Sequence, residues 1–291
     1  MRGPTSNGKK AAPAFTIIEI AISLAVVGFA LLAIIGILPY GMNVQRDNRQ
    51  ETIIAQDATI LMNAIRNGEH GLDDLTNYVM GITNYSWQFN NRGVPVTAHR
   101  VYYNYNGCTI DGSPFAFGIS NGFRIVGLLS MPRIVPIPIA NGGGFYSNHI
   151  AAYVRSMSGP ASEKFPQRNT TVQDFGLSYR LIADITDYST NYFDPSWTNF
   201  AGLTDTNQIV LRSNYMHLVW QYQTNLHDLR LTFRWPLQPD NTVNASAPRQ
   251  VFRTTVSGTL LLSTNDPAWA FPYRSLYFFQ PRNYAKAPIA P

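Results

Sequence analysis

The hydrophobic pattern divides the chain into three zones. From Ala14 to Leu38 apolar residues follow one another with a single carboxylate, Glu19, near the start, and no charge occurs from Ile20 to Leu38. About 19 helical residues at about 1.5 Å each cover roughly the 30 Å hydrocarbon core of a bilayer, so this run predicts a membrane-spanning helix. From Met42 to Arg66 the chain turns polar but keeps helical spacing, with Ile54, Ala58, Leu61 and Ile65 on one face and Gln50, Asp57 and Arg66 elsewhere. That pattern predicts a long helix whose second half lays one side against a globular body. Asn67-Gly68 marks its expected end, since glycine readily takes the left-handed conformation that terminates helices. Gly28, Gly36 and Pro39 are weak points. Pro39 lacks an N–H and crowds the carbonyl four residues back, which predicts a kink or local melting around Ile35 to Tyr40.

Beyond Gly68 the pattern changes to short runs rich in Val, Ile, Thr and aromatic residues, the composition of strands. Strands are expected over Tyr78–Phe89, Arg100–Tyr105, Phe123–Leu129, Ile150–Ser156, Gly176–Ile185, Gln208–Gln223, Leu229–Pro236, Gln250–Leu262 and Ser275–Phe279. Turn chemistry bounds them at Asn106-Gly107, Asp111-Gly112, Asn121-Gly122 and Pro239-Asp240-Asn241. Leu229 to Trp235 alternates apolar residues with Arg and Thr, as an antiparallel strand with one solvated face does, and Gln250 to Gly258 is its expected hairpin partner. Pro132 to Gly144 cannot be a central strand, because each proline removes a ladder donor; an extended surface loop is expected, and a seam that could divide the body in two. Asp187 to Thr206 reads as a long loop and Gln280 to Pro291 as an irregular tail. The expected fold class is α+β: a long N-terminal helix followed by a large antiparallel β-rich head.

Charge changes the picture at the N-terminus only. The 291-residue chain carries a net charge of +5, but Arg2, Lys9 and Lys10 precede the apolar run without any acid, and without them the excess falls to two. Such a basic leader stays on the cytoplasmic side by the positive-inside rule and sends the C-terminal body outward. The basic balance is thus a topological signal, and no nucleic-acid partner is expected. Cys108 is the sole cysteine, so the body holds no internal disulfide.

Glu19 is the residue that a plain anchor leaves unexplained, because a carboxylate within a membrane span costs roughly 2.5 to 3.5 kcal/mol and usually has a specific partner. Lys9 and Lys10, the small or rigid Ala11-Ala12-Pro13-Ala14, then Phe15-Thr16-Ile17-Ile18-Glu19 and the apolar run occur in that order. Together they resemble the class III signal of type IV pilins and type II secretion pseudopilins. The resemblance covers roughly Lys9 to Gly68. It implies cleavage by a prepilin peptidase between Ala14 and Phe15, N-methylation of Phe15, and pairing of the Phe15 amine with Glu19 of a neighbouring subunit during assembly. Where the family usually has Gly before the cut, this chain has Ala14, also small. A secretory signal peptide fits less well, since Gly36-Ile37-Leu38-Pro39-Tyr40 offers no small-residue cleavage site.

Catalytic chemistry is not apparent. His70, His99, His149, His217 and His227 show no metal spacing, no nucleophile elbow occurs, and Gly142-Gly143-Gly144 lacks the Lys-Ser/Thr of a phosphate loop. Some pseudopilin heads bind calcium through loop carboxylates, which makes Asp184, Asp187, Asp194 and Asp205 candidates for that ion, although their spacing matches no defined calcium loop. No other cofactor is expected.

The expected organisation is a leader over 1–14, a membrane or filament-core helix over 15–38, its amphipathic continuation over 39–68 and an extracytoplasmic head over 69–291. The resemblance implies a non-enzymatic filament subunit, and the large head favours a minor one. Its partners would be prepilin peptidase, other pilin or pseudopilin subunits, the inner-membrane assembly platform and membrane lipid. A surface pilus subunit for adhesion, motility or DNA uptake is the alternative within the class. A membrane-tethered extracytoplasmic binding protein or enzyme is the alternative outside it.

Overall fold

The computed structural model describes residues 15–68, 73–139, 142–159, 176–188, 197, 202, 204–263 and 275–286. Contacts divide the chain into two units, Met1–Glu51 and Thr52–Pro291. Helix α1 runs from Ile17 to Asn67 without interruption, Pro39 included, so the local melting expected around Ile35 to Tyr40 does not occur. It ends where expected, with Gly68 in the left-handed region at φ 70°.

In the second unit the α1 residues Ile54, Asp57, Ala58, Leu61, Ala64 and Ile65 are buried. Their spacing of three and four places them on one stripe, and each large apolar side chain on it contributes roughly 2 kcal/mol by leaving water. Asp57 is the correction: expected away from that stripe, it lies within it and is fully buried.

Among the described residues nine strands form the main sheet, every pair antiparallel: β1 (Val79–Phe89), β2 (Pro95–Asn104), β3 (Gly107–Ile110), β4 (Ser113–Phe115), β5 (Ile134–Pro136), β6 (Phe145–Arg155), β7 (Ser178–Asp187), β8 (Leu226–Arg234) and β9 (Arg249–Ser257). Their order is β4-β3-β2-β1-β6-β7-β8-β9, two meanders joined where β1 pairs with β6. Asp111 and Gly112, both at positive φ, make the tight turn between β3 and β4. The Pro-rich stretch contributes β5, which pairs with the 145–147 part of β6, whereas β7 pairs with 150–155. It therefore continues the sheet and does not interrupt it. A short 3-10 helix, Asp73–Asn77, precedes β1, and β10 (Thr259–Ser263) pairs with β11 (Leu276–Gln280) in a separate two-stranded sheet. The expected strand over Gln250–Leu262 is thus two, parted at Gly258 (φ 105°), where a Cβ would run into the Gln280 carbonyl.

Two expected strands are helices. Phe123–Leu129 belongs to α2 (Gly122–Leu129), capped by Asn121, whose side chain accepts from the Arg124 amide. Arg124 aside, the run is apolar and mostly buried, and so short a run cannot tell helix from strand by its periodicity. Gln208–Gln223 belongs to α3 (Thr206–Asn225), capped by the Asp205 carboxylate on the Asn207 amide. Its β-branched and aromatic residues suggested a strand. The cap and a length well beyond the usual five or six strand residues are the stronger signals.

The register assigns each sheet face. Ile82, Ala152, Leu181 and Phe233 align across β1, β6, β7 and β8, and join the α1 stripe, α2 and β11 in one buried cluster. The other face carries Asp184–Arg230–Arg253 in one row and Tyr153–Arg180–Arg234–Arg249 in another. The alternation read in Leu229–Trp235 and its pairing with β9 are as expected.

Candidate functional site

Ala14, on the N-terminal side of the expected cut, lies outside the described residues. Phe15 is 82% exposed, and Thr16 and Glu19 form a reciprocal cap at the start of α1. Glu19 Oε2 accepts from the Thr16 amide and from Thr16 Oγ1, both at 2.9 Å, while the Glu19 amide donates to Thr16 Oγ1 at 3.3 Å. The first N–H groups of a helix have no partner within it, and a Thr with a Glu three residues later satisfies two of them at once. Ser23 Oγ in turn donates to the Glu19 carbonyl at 2.7 Å. Thr16 is the site residue that the residue-type reading passed over, although Thr-x-x-Glu before an apolar run is a recognisable capping signal.

The apolar side chains that follow are all exposed. Ile17, Phe29, Leu32, Ile35 and Leu38 carry no covering contacts within the first unit, and none of the membrane-length window is buried. Among the described residues one helix is long and apolar enough to cross a membrane, and the carboxylate of Glu19 stands in its first turn. In hydrocarbon, the Thr16 amide and hydroxyl supply Glu19 with local donors. They do not neutralise its charge, which leaves an electrostatic demand for a cation.

The candidate calcium carboxylates do not converge among the described residues. Asp184 Oδ2 accepts from Arg230 Nη2 at 2.6 Å, Asp187 Oδ1 lies 3.8 Å from His227 Nε2, and Asp205 caps α3. Asp194 lies outside the described residues, as does His70. Among the described residues no group of three or more His, Cys, Asp or Glu side chains could hold a metal ion. His99 Nδ1 is 2.7 Å from Asp111 Oδ2, His149 is held below its usual pKa chiefly by burial, and Cys108 is buried in the core. None of these groupings sets a nucleophile against a base.

Asp57 is the other residue that the pattern of the helix concealed. Its Oδ2 accepts from the Met157 amide at 2.9 Å and the Tyr179 hydroxyl at 3.0 Å, tying the second half of α1 to the segment after β6 and to β7. Oδ1 has no partner in hydrogen-bond geometry, though the Ser158 hydroxyl and amide lie close enough to favour the carboxylate.

Comparison with protein-family models, with curated proteins and with solved structures finds no match to this chain. What the fold defines is an N-terminal apolar helix of membrane-spanning length followed by an antiparallel β-rich head, an architecture compatible with a pilin-like fold.

Proposed function

We propose that this chain is a non-enzymatic structural subunit, in a minor position, of a type II secretion pseudopilus or type IV pilus-like filament, matured by a prepilin peptidase at Ala14-Phe15. The observation that carries this reading is the exposed apolar helix, opened by Phe15 and a capped Glu19, in a chain whose remaining mass is a β-rich head. An apolar surface of this length needs either lipid or other apolar helices around it. Before assembly the membrane supplies the cover; in the filament the helices of neighbouring subunits do. The Phe15 amine freed by cleavage supplies the cation that Glu19 of the adjacent subunit demands. The head then lies on the extracytoplasmic side, because the basic leader stays behind.

Mass spectrometry of the N-terminus, on protein purified from its native membrane, tests the reading. A chain beginning at N-methylated Phe15 is the expected result. A chain beginning at Met1 overturns it and leaves a tethered head.

A further inference from the structure

We propose that the outer face of β7, β8 and β9 is a docking surface for an acidic extended segment of a partner polypeptide, which adds to the edge of β9. The inference does not depend on the filament reading. It begins with the register: Arg180 lies directly opposite Arg234, and Arg234 directly opposite Arg249. Side chains facing each other on neighbouring antiparallel strands sit about 5 Å apart, where like charges oppose folding. Three arginines in line are therefore a standing cost.

Nothing described on that face cancels it. Asp184 is engaged by Arg230 at 2.6 Å, and Asp228 takes Arg253 Nε on its two oxygens at 2.7 and 2.8 Å. Asp240, in the β8–β9 connection, turns onto the amide and hydroxyl of Thr242. Arg234 Nη2 donates to the Asn244 and Ala245 carbonyls, yet the Nε groups of Arg180 and Arg234 are buried without a hydrogen-bond partner. Among the described residues no carboxylate pairs with Arg180, Arg234 or Arg249. An arginine on an edge strand can serve merely to block unwanted pairing, but Arg180 and Arg234 stand on inner strands, where no edge needs guarding.

The shape of the surface selects the partner. Among the described residues β9 pairs only with β8, so its other side presents unpaired backbone groups. Arg249, Val251 and Arg253 are exposed there at alternate positions. A strand added at about 4.8 Å spacing places every second side chain opposite these three. The matching pattern is acidic, any, apolar, any, acidic. The face already accommodates carboxylates in close arginine pairs, at Asp184 and Asp228. By contrast Tyr153, the aromatic neighbour opposite Arg180, is only 5% exposed and offers no platform for stacking bases.

The test uses the full chain in detergent and a fluorescent peptide of repeated Glu-Thr-Val-Thr-Glu, with a Lys-Thr-Val-Thr-Lys peptide and a single-stranded oligonucleotide as comparison probes. Saturable binding of the acidic peptide alone is expected, weakening as salt rises. It should weaken by about tenfold or more in Arg249→Gln, which faces the added strand, and by less in the Arg180→Gln/Arg234→Gln pair, which stands one and two strands further in. The melting temperature of Arg249→Gln should stay level or rise, because it relieves a like-charge opposition and breaks no side-chain hydrogen bond among the described residues. Arg249→Gln changes only an exposed edge side chain, so its result stands even if the inner pair disturbs folding. No saturable peptide binding, or undiminished binding by Arg249→Gln, overturns the proposal. Oligonucleotide binding with the same arginine dependence overturns it in favour of a phosphate ligand.

Discussion

The Tyr179 hydroxyl donates to Asp57 Oδ2 at 3.0 Å, with both side chains fully withdrawn from solvent. The pair joins α1 to β7 across 122 positions of sequence, and Tyr179 also packs its ring against Phe233 at 5.2 Å between centroids. Tyr179→Phe keeps that ring contact and deletes only the donor, leaving Asp57 short of a partner. Chemical denaturation of the full chain in detergent should show the head less stable by about 1 to 3 kcal/mol. An unchanged midpoint would mean that the hydroxyl does not contribute to holding the helix.

The same pair gives the head a pH signature. Burial pushes the Asp57 carboxyl above its usual range, and the nearby Ser158 hydroxyl and amide with the hydrogen bonds from Met157 and Tyr179 only partly offset it. The folded state then holds a proton that the unfolded state releases, so this group's contribution falls as pH rises from about 4 through the folded value. Asp57→Asn keeps an acceptor for Met157 and Tyr179 and has nothing to titrate. Its stability should lack that decline, and stability profiles of wild type and variant that run parallel across the acidic range would contradict the assignment.

His227 acts with the opposite sign. It is 4% exposed, edge-on to Phe279 at 5.3 Å between ring centroids, and burial holds its pKa at about 4. The unfolded state binds the extra proton first, so stability present above about pH 6.5 is lost as pH falls toward 4, by up to about 3 kcal/mol. His227→Phe should flatten that loss in acid melting curves. A variant as acid-sensitive as the wild type would place the titrating group elsewhere.

Close packing of α2 on β11 depends on Gly127. A Cβ there would stand 2.7 Å from Phe278 Cζ and 2.8 Å from Leu276 Cβ, inside van der Waals contact. Phe123 stacks on the same Phe278 at 4.1 Å between centroids, so the ring has little room to retreat. Gly127→Val should cost about 1 to 3 kcal/mol, read as a lower melting temperature of the full chain. A neutral result would show that β11 can shift.

At the N-terminus one substitution separates two roles of Glu19. Glutamine can cap a helix as glutamate does, so Glu19→Gln preserves the bonds to Thr16 and removes the charge. If pairing with a neighbour's Phe15 amine drives assembly, Glu19→Gln and Glu19→Ala should both insert into membranes and both assemble poorly, by sedimentation of sheared filaments. Thr16→Val, which removes the hydroxyl and keeps the charge, should assemble better than either. Normal filaments from Glu19→Gln would reduce the residue to a cap.

The N-terminal helix, its end at Asn67-Gly68, the Thr16/Glu19 signal and the alternation of β8 were legible in the sequence. Each is a local matter: a run of apolar residues, a capping pair, a glycine, a period of two. The charge of Asp57 argued for the solvent side of α1, and only the Met157 amide and Tyr179 hydroxyl, brought from far along the chain, allow it inside. The short apolar run at Phe123–Leu129 carried no period able to separate helix from strand, and its cap at Asn121 settled the matter. The arginines of β7, β8 and β9 each read as an ordinary solvent-facing residue of its own strand. Their alignment is a product of strand register, which pairing across loops decides and no single segment contains. Sequence alone thus determined the elements that local chemistry can specify, while tertiary structure decided which polar groups are buried, which meet, and which are left facing outward in a row.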